Sequence, residues 1–170
     1  PGTDRTVDEE LANNIATIGE NMNIRRLEFL EVSEGGLFSY IHNSTAEGLG
    51  RLGVLVSLES KLNVDELVTL GKQIAMHVAA TSPKSLSIDD LDEKIVNRER
   101  QVLIDQAIAS GKPKNIADKI VQGRMHKFYQ EVVLSEQVSV LDGETKIKDL
   151  VKNFSKEKNS DIELTGCLLY

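Results

Sequence analysis

Between Asn63 and Thr81, Leu67, Leu70, Gly71, Ile74, Ala75, Val78 and Ala79 recur at spacings of three and four residues, which fixes one face of an amphipathic helix. Asn63 with Glu66 three positions on forms a capping-box pair, worth about 1 kcal/mol because it relieves orphan backbone amides, and Ser82-Pro83 closes the segment. Gly71, Ala75 and Ala79 are small, so this helix must press closely on another layer. Thr69, Lys72 and Gln73 mark the opposite, solvated side and leave Met76 there as an apolar outlier for a second element or a partner to cover. His77 is expected to pack against the core.

The layer it needs is predicted from period-two patterning. Leu27 and Phe29 alternate with Glu28, Gly35-Gly36 offers a turn, and Leu37 to His42 resumes, which predicts a β-hairpin. A polar connection from Asn43 to Gly50 leads to Arg51–Leu58, where Leu52, Val54, Val56 and Leu58 share a face, so a three-stranded meander is expected. Asp161–Tyr170 alternates in the same way and adds a further strand, while Thr145–Phe154 reads as a helix and Val132–Leu141 is ambiguous. The fold class is α+β: an antiparallel sheet of three to four strands packed by helices.

Two more helical stretches, Glu93–Ser110 and Asn115–Phe128, flank Gly111-Lys112-Pro113. Glycine can end one helix in the left-handed region and proline presets the first turn of the next, so a projecting antiparallel hairpin, a short coiled coil, is expected. Its seam would pair Val96, Leu103 and Ala107 with Ile116, Ile120 and Val121. The layout is then an N-terminal helix in 1–22, an α+β core from 23–91 and 129–170, and the hairpin inserted as 92–128. Residues 92–127 hold eight Lys or Arg against five Asp or Glu, a mildly basic arm on an acidic body.

The chain of 170 residues has a formal charge of -7, which disfavours direct nucleic-acid binding. Aromatics at 4% with no Trp leave no stacking platform. The single cysteine, Cys167, has no disulfide partner within the chain, and no secretory leader or membrane-length apolar run is present, so a soluble protein in the reducing cytoplasm is expected. Gly48-Leu-Gly50 lacks the remainder of a phosphate loop, and His42, His77 and His126 sit in separate elements without metal-ligand spacing. Asp89, Asp90, Asp92 and Glu93 suit a helix start. These readings favour a binding module over an enzyme, with no cofactor.

Three stretches carry a resemblance when taken in order: Ile18-Gly-Glu-Asn-Met-Asn-Ile-Arg-Arg26, Ile74-Ala-Met-His-Val-Ala-Ala80, and Ser110-Gly-Lys-Pro-Lys114 followed by Val121-Gln-Gly-Arg-Met125. With Gly50-Arg-Leu-Gly-Val-Leu-Val56, the sequence resembles bacterial elongation factor Ts, the nucleotide-exchange factor of elongation factor Tu. The resemblance is to the C-terminal core, or dimerisation part. The family's N-terminal helical domain and its Thr-Asp-Phe-Val segment have no counterpart here.

The resemblance implies binding to Tu without covalent chemistry, and it implies contact residues at Ile18, Gly19, His42, Val140 and Leu141, where Leu stands for the family's Met. Each has a plainer reading. Ile18 shares a stripe with Leu11 and Ile15, Gly19 suits a helix end, His42 suits an ordinary strand end, and Val140-Leu141 precede the turn signal Asp142-Gly143 and could pack on the sheet. The alternative for the whole chain is a structural or self-association domain, a homodimer, with Tu contact mainly in segments outside it.

Overall fold

In the computed structural model, which describes residues 4–111 and 113–170, the elements run α1 (Val7–Ile18), β1 (Gly35–Ala46), β2 (Leu49–Ser60), α2 (Val64–Thr81), α3 (Glu93–Ala109), α4 (Lys114–Val132), a 3-10 turn (Leu134–Glu136), α5 (Ile147–Lys158) and β3 (Ile162–Leu169). The fold is α+β, with one antiparallel sheet ordered β1-β2-β3. Register pairs Phe38 with Val56 and Tyr40 with Val54, and on the other side Val56 with Cys167 and Val54 with Leu169. These side chains therefore share the face that meets α2. There, Phe38, Val54, Val56 and Leu58 pack with Leu67, Leu70, Ile74, Ala75 and Val78, closed from the side by Leu134, Ile147 and Val151.

The expected face of α2 is the buried one. Its capping box forms, with the Glu66 carboxylate accepting from the Asn63 amide at 3.3 Å. Gly71 is required by this contact, because a Cβ there would overlap the Phe38 ring. Met76 is half-buried.

The strand expected at Leu27 and Phe29 does not form; both side chains are about four-fifths exposed, at 78% and 80%. Gly35-Gly36 is not the hairpin turn either. It opens β1, where Gly35 adopts φ 124° and any Cβ would strike the Leu58 carbonyl. The real hairpin turns at Glu47-Gly48, so both strands are longer than the pattern suggests. The edge of β1 that the strand at Leu27 and Phe29 would have paired stays open among the described residues, because the segment before β1 lies against β3 instead. Leu30 fills the gap left by Gly166, and the Arg26 guanidinium lies over the Tyr170 ring at 5.0 Å.

α3 and α4 lie against each other around their own apolar cluster of Leu103, Ala107, Ala117, Val121 and Met125. Ala117 occupies the seam position expected of Ile116, which is exposed at 45%. Gly111 takes the left-handed conformation, φ 66°, and Lys112 lies outside the described residues. The ambiguous stretch 132–141 is not a strand. It continues α4, makes the 3-10 turn, and enters a tight loop.

Candidate protein-binding surface

The loop between the 3-10 turn and α5 is short and heavily bonded. Val138 bridges to Lys146, the Ser139 amide donates to the Thr145 carbonyl at 2.8 Å, and the Ile147 amide donates to the Gln137 carbonyl at 2.9 Å. At its tip, Gly143 with φ 69° donates to the Ser139 carbonyl at 2.9 Å. Asp142 Oδ1 accepts from the Glu144 and Thr145 amides at 3.0 and 3.1 Å. The Thr145 hydroxyl first, and these amides next, hold the Asp142 carboxyl below the usual carboxylate range. Beneath, buried Glu136 receives Lys146 at 2.8 Å and Lys148 at 2.6 Å. Bonding to Lys146, then Lys148, lowers its pKa despite burial.

This framework holds Val140 and Leu141 outward, 49% and 54% exposed. Two adjacent apolar side chains facing water on a rigid loop are what a protein partner can bury. Packing of the pair on the sheet, the plainer expectation, does not occur.

One more bond anchors the loop from below. The Val140 amide donates to His77 Nδ1 at 3.2 Å, and His77 Nε2 lies 3.0 Å from Gln137 Oε1. The His77 side chain is fully buried, as its expected core position requires. Burial, partly opposed by the Gln137 bond, pushes the imidazole pKa below its ordinary 6.5. Because protonation is easier in the unfolded chain, the stability this ring confers is complete above about pH 6.5 and is lost as pH falls through the lower folded-state value. Thermal melts at pH 7.5 and 5.5 should therefore differ more in wild type than in His77→Asn, and equal differences would contradict this.

His42 is exposed on β1, with its Nδ1 3.1 Å from the Tyr40 hydroxyl. Phe38 meets Gly71 and Tyr40 lies further along β1, so His42 and the C-terminal half of α2, which carries His77, point toward the same end of the sheet. Ile18 and Gly19 end α1. Ile18 is 59% exposed, Gly19 caps the helix with φ 79°, and no residue of α1 is buried, so the core role weighed for Ile18 does not hold. All five sequence-derived residues are solvent-facing. His77, Gln137 and Ser139, which set the loop, were not singled out for this surface; the one available signal was a histidine on the apolar face of a helix.

Among the described residues, no three His, Cys, Asp or Glu side chains converge as a metal set. Burial first, and the Asp90 charge next, push the half-buried Cys167 thiol up, which disfavours the thiolate.

The family described as Elongation factor TS matches residues 2–166. The chain belongs to the elongation factor Ts family. It is 55% identical over 98% of its length to elongation factor Ts of Rhodospirillum centenum, of which it covers 54%. Against the Paramagnetospirillum magneticum protein the identity is 52%, over 98% of this chain and 53% of the relative. For Sinorhizobium medicae it is 43%, over 98% and 54%. The chain thus spans about half the length of the elongation factor Ts relatives it matches. Among the described residues, no helix is long and apolar enough to cross a membrane.

Proposed function

We propose that this chain is a Tu-binding core segment of an elongation factor Ts, and that in the longer protein it supports GDP release during translation in the bacterial cytoplasm. The observation that carries the reading is the rigid loop holding Val140 and Leu141 in solvent, at the positions where the family resemblance implies Tu contact. Ile18, Gly19 and His42 supply the remaining contacts. No bond is made or broken: a factor that prefers empty Tu over GDP-bound Tu must, by linkage, weaken GDP by the same ratio. No cofactor is required, and nucleic acid takes no direct part.

Titration of the chain over immobilised Tu should show weak binding, because only part of the partner surface is present and affinity concentrates in few anchors. His42→Ala with Leu141→Asp should weaken it by roughly 30-fold or more without altering the thermal transition, since both side chains are exposed. An unchanged dissociation constant would clear them of the role.

The arm is read as a separable module. Because α3 and α4 bury their own cluster, replacing about Arg98–Lys119 with a short flexible linker should leave the cooperative melting of the core in place. Loss of that transition would make the arm part of the core.

A second reading is favoured by the sheet face away from α2, where Leu37 and Leu55 are 45% and 36% exposed: self-association into a homodimer. Light scattering at micromolar chain separates a monomer from that state.

A further inference from the structure

We propose that His77 is a positioning residue for the Tu-binding loop: its neutral, Nε2-protonated tautomer holds the Val140 amide and so fixes how Val140 and Leu141 are presented. This rests on the Tu-binding reading above.

The tautomer follows from donor and acceptor chemistry. A backbone amide can only donate, so the Val140 N–H at 3.2 Å requires a lone pair on Nδ1. The hydrogen must then sit on Nε2, where it donates to Gln137 Oε1 at 3.0 Å. The orientation of that amide is set in turn, since Gln137 Nε2 donates to the Glu131 carbonyl at 2.8 Å and the Thr81 hydroxyl lies 3.0 Å from Oε1. The chain of bonds has one direction, and it ties α2 to the end of α4 and to the base of the loop.

Among the described residues, the Val140 amide has no other acceptor than this ring. The half of the loop that faces the partner therefore hangs on a group buried in the core. Such anchoring removes the ordering cost that a mobile loop would meet on binding.

His77→Leu removes both ring bonds at similar volume, whereas His77→Asn restores an acceptor near the place of Nδ1. In Tu titrations, the Leu variant should bind about tenfold more weakly than wild type, and the Asn variant should stay within about threefold. Hydrogen exchange of the Val140 amide should quicken in the first and stay slow in the second. Should the Leu variant lack a cooperative melt, Gln137→Met, which frees the ring while keeping it, should give the same loss in smaller measure. A folded Leu variant that binds like wild type, or an Asn variant that falls as far as Leu, overturns the positioning role alone. Wild-type chain that fails to bind Tu overturns the underlying reading as well.

Discussion

Gly71→Val is expected to lower the melting temperature by about 10 °C. The added side chain would overlap the Phe38 ring at the closest approach of α2 to the sheet, and overpacking of this kind costs roughly 3 kcal/mol, each worth about 3 °C in a domain of this size. Valine's helix propensity exceeds glycine's by only about 0.4 kcal/mol, too little to offset the overlap. The matched control is Gly123→Ala. That glycine lies inside α4 with open space where the Cβ would go, so the change should stabilise by about 1 kcal/mol through helix propensity. Calorimetry of both variants decides it. A Gly71→Val protein that melts with wild type would mean that α2 and the sheet are not in the contact described.

The second large effect is an absence of catalysis where a longer factor has it. With the chain at saturating concentration, fluorescent GDP should leave Tu at close to its spontaneous rate, while a full-length elongation factor Ts accelerates it. A ligand shifts an equilibrium only by its differential affinity for two states. The family's Thr-Asp-Phe-Val segment, expected to discriminate empty from GDP-bound Tu, does not occur in these 170 residues. Contacts through Val140, Leu141 and His42 should engage both states about equally and add affinity with little coupling. Stopped-flow release with the full-length factor as control is the measurement. Acceleration near that control would place the discriminating contacts within this chain.

What could be read in advance follows the range of the forces involved. α2 was legible because its capping pair and apolar stripe are local, and the buried face is the one its spacing predicts. β3 and α5 were legible for the same reason. The segment with Leu27 and Phe29 misled, since alternation marks a chain able to be a strand but does not say whether it will pair. The edge of β1 stayed open while this segment lay against β3, which itself pairs with β2 from more than a hundred residues away, through pairs such as Val56 with Cys167. The loop at Val140 was the hardest. Its shape depends on Glu136 meeting Lys146 and Lys148, and on His77 reaching a backbone amide 63 positions later, and neither leaves a periodic trace. The candidate residues themselves came from resemblance, and only their exposure was added by the fold.

The central claim is that Tu sits on the loop of Val140 and Leu141, and methyl NMR of the labelled chain titrated with Tu tests it most directly. Resonances of Val140, Leu141 and Ile18 should shift or broaden, because these side chains are exposed and assigned to the contact, while Leu37 and Leu55 on the outer sheet face should stay in place. Movement of Leu37 and Leu55 with Val140 and Leu141 unchanged would put the partner on the opposite surface and contradict the account.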